Sequence, residues 1–253
     1  SLYLLEGLLN QTSGLQPTQI MTDTAGYSDL IFGLFGLLGF QFSPRIANKH
    51  GTKLWRIEKN ADYGLLNDVT KSRINIDLIE EHWEDILRVA GSLKSGKVNA
   101  TELTRALQRS GQPTSLGKAI TEYGKVYKTK HQLRYLSDEI YARQILEQLN
   151  KGESRHALCR SIFYGRNGKL YQTYIDGMEE QLTSLSVVTN AVIYWNTLYL
   201  EKVLEQMKVE GYDCSEELIG KLSPLLFEHI NFVGKYSFQY NQGLEDGSLR
   251  PLK

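Results

Sequence analysis

The sequence has few cysteines, no excess of either charge and no long apolar run. Its two cysteines, Cys159 and Cys214, lie far apart and outside any CxxC spacing, which argues against a disulfide framework or a zinc site and indicates a reducing compartment. Lys and Arg together number 29, as do Asp and Glu, so the formal net charge is zero. A nucleic-acid function would therefore depend on local basic patches rather than on overall charge.

A membrane segment is not predicted either. The most apolar stretch covers residues 30–40, well short of the roughly 20 residues that a membrane-spanning helix needs. No signal peptide is visible, so we expect a protein without a membrane partner. The chain begins at Ser1-Leu2 inside an amphipathic helix pattern and without a methionine, which suggests a piece of a longer protein.

The first third of the chain shows an α/β pattern. Residues 18–22 and 53–57 have the composition and alternation of strands, and residues 28–38 are predicted to form a buried helix between them. The glycines at 33, 36 and 39 lack the GxG pair of a dinucleotide-binding loop. Their spacing instead predicts close packing of this helix against a neighbour.

The remaining two thirds is predominantly helical by pattern. Residues 101–108 and 116–141 are predicted helices, and Asn150-Lys151-Gly152 is expected to interrupt the second of them before a new helix opens at Glu153. Residues 216–233 form a last helical block, broken at Pro224. A long helix in between is predicted from one apolar stripe: Leu185, Val188, Val192, Trp195, Tyr199 and Val203.

Asp23 is the first candidate for a functional carboxylate. It follows the first predicted strand and precedes Gly26 and a helix. Functional side chains gather at strand carboxyl ends in α/β folds, because short loops there hold them on a rigid frame. The alternative is that Asp23 caps the following helix. The pattern alone favours neither interpretation.

Glu153 is the second candidate. It is expected in the first turn of a helix, where the helix dipole favours a carboxylate, and this structural role is an alternative to a functional one. Ala157 and Arg160 would lie on the same helix face as Glu153. The small side chain of Ala157 would leave space next to the Glu153 carboxylate, and Arg160 would place a positive charge nearby. The segment also carries a local basic patch that would suit phosphate binding, although a solvated surface is the alternative. The patch consists of Lys151, Arg155, Arg160, Arg166 and Lys169.

A series of motifs resembles the Tn3 family of transposases in its order along the chain. The series opens with Thr22-Asp23-Thr24-Ala25-Gly26-Tyr27 and continues through Leu37-Leu38-Gly39-Phe40 and Pro44-Arg45-Ile46. Leu149-Asn150-Lys151-Gly152-Glu153 follows, and the series ends with Trp195-Asn196-Thr197, Ser223-Pro224-Leu225 and His229-Ile230-Asn231. Any one of these motifs is weak evidence, whereas the ordered set is specific.

The resemblance implies a DDE transposase with an RNase H-like catalytic core. Asp23 matches the second acid of the family triad and Glu153 matches the third, while the first Asp is expected upstream of these residues. The implied cofactor is Mg²⁺ or Mn²⁺. The implied partners are double-stranded DNA, at transposon terminal inverted repeats and at a target, and a second copy in a homodimer. Lys151, Arg155, Arg160, Arg166 and Lys169 would contact phosphates. The implied location is the bacterial cytoplasm.

This resemblance gives a helix-dominated α/β fold, the distal part of an RNase H-like core with a helical insertion and C-terminal helices. Residues 1–76 would form the core part with Asp23, 77–149 the insertion, 150–240 the helices with Glu153, and 241–253 a polar tail. We expect the two predicted strands to be neighbours in one sheet and the carboxyl groups of Asp23 and Glu153 to lie within about 8 Å. The alternatives are a DNA-contacting or dimerising helical module without catalytic activity, and a decayed transposase remnant.

Overall fold

The structure is a computed structural model, and it describes residues 2–24, 28–109, 111–164, 168 and 177–235. The chain divides into two compact units, residues 1–149 and residues 150–253. Helices predominate in both, as predicted. Within the described residues no helix combines the length and the apolar composition needed to cross a membrane.

A strand–helix–strand motif forms the start of the first unit. Strand β1 (Gln19–Thr22) pairs in parallel with β2 (Gln41–Pro44), and helix α2 (Asp29–Leu37) connects them. The side chain of Ser28 caps α2 by accepting a hydrogen bond from the backbone N–H of Ile31 at 3.3 Å. Gly39 follows the helix with a φ of 83°, a left-handed conformation that suits the turn into β2.

The prediction that residues 18–22 and 53–57 are sheet neighbours is wrong. The second segment contributes only the short strand β3 (Trp55–Arg56), which pairs in parallel with β4 (Ser72–Arg73) in a separate sheet. The partner of β1 is β2, which ends at Pro44. Gln41 and Arg45 donate their N–H groups to the carbonyl oxygens of Thr18 and Thr22. The nitrogen of Pro44 therefore points away from β1, and the proline removes no hydrogen bond between the two strands.

The core of the first unit is built on close contact between α2 and helix α6 (Ser115–Ser137). A Cβ atom on Gly124 would lie 1.8 Å from the carbonyl oxygen of Asp29, and one on Gly33 would lie 2.5 Å from that of Ile120. The predicted packing role is thus confirmed for Gly33 and also for Gly36, whose Cβ would meet the Tyr127 ring. The largest fully buried side chains around this contact include Phe32, Leu34, Phe35, Ile74, Ile86, Leu93 and Ile120.

Short elements surround that core. The helices are α1 (Leu2–Leu9), α3 (Ile76–Glu81), α4 (Trp83–Lys94) and α5 (Ala100–Ala106), with a 3-10 turn at Gly64–Leu66 and an antiparallel pair β5 (Gln108–Arg109) and β6 (Gln112–Pro113). The predicted helix 101–108 therefore ends early, at the strand pair. The predicted helix 116–141 is two helices, because α6 ends before Asp138 and α7 (Glu139–Ile162) begins after it.

The second unit contains the rest of α7, the long helix α8 (Met178–Val209) and the short helix α9 (Glu216–Ile219). The predicted interruption at residues 150–152 is wrong, since α7 is continuous through it. One glycine in a helix costs only about 1 kcal/mol, which neighbouring helix formers can offset. The prediction of a helical block over residues 216–233 is correct only for α9. After α9 the chain forms turns, at Gly220 and again from Pro224 onward.

Candidate functional site

Asp23 lies directly after β1, at the carboxyl end of the parallel β1–β2 pair, and is exposed. The alternative that Asp23 caps α2 is wrong, because Ser28 occupies that position. The hydroxyl oxygen of the preceding residue, Thr22, is buried and has no hydrogen-bond partner among the described residues. The predicted position of Asp23 at a strand end is confirmed.

A buried polar network holds the other strand of this pair. Ser43 Oγ lies 2.7 Å from the Tyr141 hydroxyl, which lies 3.0 Å from His131 Nδ1. His131 Nε2 lies 2.8 Å from the carbonyl oxygen of Pro44. Since a carbonyl can only accept, Nε2 carries the proton and Nδ1 accepts from Tyr141. Tyr141 must then accept a hydrogen bond from Ser43. The donors are therefore Ser43 to Tyr141, Tyr141 to His131, and His131 to the carbonyl of Pro44.

Burial keeps His131 neutral. The pKa of His131 is lowered from 6.5 to about 4, chiefly by burial and to a smaller extent by the nearby Arg134, while the hydrogen bond to Pro44 acts in the opposite direction. Gln41 adds amide hydrogen bonds to Ser43 and Tyr141. No local motif marks His131, because its partners are distant in sequence.

Glu153 is exposed and lies in the interior of α7 rather than at its start. The helix-dipole explanation for its position is therefore wrong, because the dipole acts mainly within the first turn. The carboxylate forms no ion pair or hydrogen bond with the described residues. Its lone pairs are consequently available to a metal ion or to water.

The basic patch divides between two faces of α7. At about 100° per residue, Arg160 lies on the side of Glu153, whereas Lys151 and Arg155 lie roughly 160° or more away from it. Arg155 is half-buried and donates to Asn190 Oδ1 at 3.5 Å, so it also joins α7 to α8. Lys151 and Arg160 are exposed, and as DNA contacts all three stay predictions. Arg166 and Lys169 lie outside the described residues.

Asp23 belongs to the first unit and Glu153 to the second. Their convergence on shared metal ions stays a prediction. Within the described ranges, no group of three or more His, Cys, Asp or Glu side chains is placed to hold a metal ion. Asp23 and Glu153 are both exposed carboxylates, and their hard oxygen atoms are ligands of the kind that Mg²⁺ and Mn²⁺ prefer.

Sequence analysis missed a polar clamp in the second unit. Asn196 is buried and donates from Nδ2 to the carbonyl oxygens of Pro224 and Leu226, each at 2.8 Å. His229 Nε2 lies 3.0 Å from Asn196 Oδ1 and must donate, because an amide oxygen only accepts. His229 also stacks on Trp195. Three of the ordered motifs thus meet at one residue.

Comparison with known proteins agrees with this motif order. Residues 1–236 match the family model described as the Tn3 transposase DDE domain. The chain is 48% identical over its whole length to the transposase for transposon gamma-delta from Escherichia coli K12 and covers 25% of that protein. It is 46% identical to the transposase for transposon Tn4556 from Streptomyces fradiae and 40% identical to that for Tn1546 from Enterococcus faecium.

Both of those matches also take in the whole chain, which spans 28% of the Streptomyces protein and 26% of the Enterococcus protein. The chain therefore corresponds to about a quarter of the length of these relatives. Because the family model covers nearly all of its residues, the chain belongs to the family of Tn3 transposase DDE domains.

Proposed function

We propose that this chain is the part of a DDE transposase that supplies two of its catalytic carboxylates, Asp23 and Glu153. The observation that carries the proposal is the family match over residues 1–236, together with the exposed position of Asp23 at the carboxyl end of a parallel strand pair. The reactions proposed are metal-dependent cleavage of the phosphodiester at transposon ends, and then transfer of the freed strand to target DNA. We place both reactions in the bacterial cytoplasm.

The proposed task of Asp23 and Glu153 is to hold divalent ions beside the scissile phosphate. Two such ions, when bound, clamp the attacking and leaving oxygens of an in-line displacement. Asp23 is suited to this because β1 is fixed by its pairing with β2 and by the Ser43–Tyr141–His131 network behind it. Glu153 is suited because an uninterrupted helix holds it on a rigid element.

A third carboxylate is part of the proposal, since the resemblance implies three acids. With two carboxylates alone, mutual repulsion between two divalent ions would be less well compensated. We therefore expect the 253-residue chain by itself to bind Mg²⁺ or Mn²⁺ weakly at one position and to cleave no DNA. Titration with Mn²⁺ and a plasmid nicking assay measure these two properties.

The proposal is tested in the whole transposase that carries these residues, on a plasmid with labelled transposon ends. Asp23→Asn and Glu153→Gln each remove a charge without changing shape. Each should reduce cleavage and strand transfer at least 100-fold, because even outer partners of metal ligands typically contribute about 10- to 100-fold. End binding should change little, since phosphate contacts supply most of the affinity.

The matched controls are Asp68→Asn and Glu147→Gln, which alter exposed acids, the second of them on the same helix as Glu153. Both controls should retain cleavage. Full cleavage by the Asp23 or Glu153 variant would contradict the proposed catalytic role. Equal loss in a control variant would show that the assay reports a general effect of removing negative charge.

The proposal extends to a homodimer, and one feature of α8 supports it. The face of α8 with Thr189 and Asn196 is buried, while exposed apolar side chains occupy other faces. Tyr194 is 66% exposed and Val187 is 63% exposed. The two residues lie about two helical turns apart and so share one face of α8. The apolar stripe predicted from sequence is only half-buried, as Val188 and Trp195 illustrate. Sedimentation of the chain with Val187→Lys and Tyr194→Lys tests whether this face associates with a second copy.

A further inference from the structure

A basic surface pocket lies in the first unit, away from the sequence-predicted DNA contacts. It has a volume of about 540 Å³ and opens beside the β3–β4 pair. Four cationic and two neutral polar side chains line it: Arg56, Lys59, Lys71, Arg73, Asn67 and Thr70. No acidic side chain lines it, although the surrounding chain contains Glu58, Asp62 and Asp68.

Arg56, one of the lining residues, is held in place by neutral acceptors. Its Nε donates to the Thr70 carbonyl at 2.8 Å, and one Nη donates to Asn67 Oδ1 at 3.0 Å and to Thr70 Oγ1 at 3.2 Å. The guanidinium also lies over the Tyr63 ring, 5.0 Å from its centroid. These contacts orient the side chain while leaving its positive charge without an ion pair within the described chain.

Like charges face each other across the two strands. Arg56 and Arg73 are register partners in the parallel pair, an arrangement that is unfavourable when nothing negative lies between them. Asp62 is an acid whose charge interacts with that of Arg56. Its carboxylate accepts from Asn67 and Gly64, and Arg56 contributes to lowering the pKa of Asp62 only after those hydrogen bonds. The pocket is therefore positive, since four cations and no acid line it.

We propose that this pocket binds phosphate groups of the DNA backbone, as a second contact region besides the basic residues on α7. The inference rests on the proposed function for the identity of the anion. An oriented arginine and exposed lysines suit a phosphate, because the guanidinium gives direction to the hydrogen bonds and the lysines add positive charge. Contacts of this kind position DNA and are independent of its sequence.

The test compares two triple variants of the 253-residue chain for binding to a random-sequence DNA duplex. Lys59→Gln, Lys71→Gln and Arg73→Gln remove three exposed cations of the pocket and spare Arg56. The control removes three exposed cations elsewhere in the first unit: Lys94, Lys97 and Lys118. The dissociation constant is measured by fluorescence anisotropy at several salt concentrations, and thermal unfolding shows that both variants fold.

The pocket variant should bind the duplex at least about tenfold more weakly near 0.1 M salt. The plot of log binding constant against log salt concentration should also be less steep by about 2 to 3, because each lost phosphate contact reduces the slope by about 0.9. The control should stay close to the unmodified chain. Equal weakening in both variants would overturn the pocket assignment while leaving DNA binding intact. Absence of duplex binding by the unmodified chain would overturn the pocket assignment alone, because the proposed function is tested separately by cleavage in the whole transposase.

Inorganic phosphate is titrated in a parallel calorimetric experiment. Weak or undetectable heat supports the backbone interpretation, since a single phosphate lacks the linked contacts of a duplex. Tight phosphate binding that the pocket substitutions abolish, with duplex binding unchanged, would identify a small-anion site and contradict the proposal.

Discussion

The two units of this chain differ in what holds them together. The first has a continuous apolar core around α2 and α6. In the second, among residues 150–164, 168 and 177–235, the buried side chains are Leu158, Thr189 and Asn196. Apolar burial stabilises the first unit in proportion to its area. The second depends more on individual hydrogen bonds, so single substitutions there should act locally.

The largest effect expected is that of Gly124→Ala in the first unit. Its Cβ would lie 1.8 Å from a backbone oxygen of α2, which cannot move without separating the two helices. We expect a loss of about 3 kcal/mol, the upper end for overpacking a core. Gly91→Ala is the control, because a Cβ there meets nothing within 4 Å. Denaturant unfolding should show the first variant destabilised and the second unchanged or more stable.

Amide exchange sharpens this comparison between units. In Gly124→Ala, protection should fall in α2 and α6, while α8 keeps the protection that it has in the unmodified chain. Equal loss of protection in α8 would show that the second unit has no stability of its own. A Gly124→Ala variant as stable as the unmodified chain would contradict the close α2–α6 packing.

A pH effect is the second prediction, again in the first unit. With its pKa lowered to about 4, His131 stays neutral in the folded chain while it protonates near 6.5 when unfolded. The unfolded state therefore binds more protons between these values, so stability falls as pH falls from about 6.5 to 4. The full loss is on the order of 3 kcal/mol.

His131→Gln should remove this part of the pH dependence, since glutamine can still accept from Tyr141 and donate to Pro44 but does not titrate in this range. His50→Gln, at an exposed position, should keep it. The measurement is the unfolding free energy at steps of pH. An unchanged slope in His131→Gln would show that another group is responsible.

The sequence predicted the first unit's elements better than their pairing. The helix at 28–38 and the strand at 18–22 follow from local apolar pattern, and the structure has both. The pairing of β1 with β2 depended on the hydrogen-bonding direction at Pro44, which no local pattern reveals. At Gly152 the local signal was misleading, because the helix formers on either side outweigh one glycine.

The candidate site shows the same division. Asp23 and Glu153 were candidates from their local sequence context, the resemblance implied their roles, and both residues are exposed. The clamp at Asn196 and the network at His131 join residues far apart in sequence, so their geometry required the fold.

The third prediction measures the polar clamp of the second unit. Asn196→Ala leaves the carbonyl oxygens of Pro224 and Leu226 without their donor and should cost about 2 kcal/mol, typical of buried polar groups left unpaired. Exchange should increase in residues 223–231 and leave α2 unchanged. Ser186→Ala, at an exposed position on the same helix, is the control. Unchanged exchange in 223–231 would show that other contacts hold this segment.

The smallest effect expected is a gain, from Gly152→Ala in α7. Gly152 is exposed, and an added Cβ would meet nothing within 4 Å. Alanine should therefore stabilise the helix by about 0.5–1 kcal/mol and slow amide exchange in residues 148–156. We expect that the lack of a side chain at Gly152, next to the proposed catalytic Glu153, lets DNA approach the helix backbone closely. Strand cleavage by the whole transposase should accordingly fall several-fold although the helix is more stable.

Gly91→Ala should show the gain in helix stability without the loss of cleavage. Faster exchange in Gly152→Ala would contradict the continuous helix, and unimpaired cleavage would contradict the close approach.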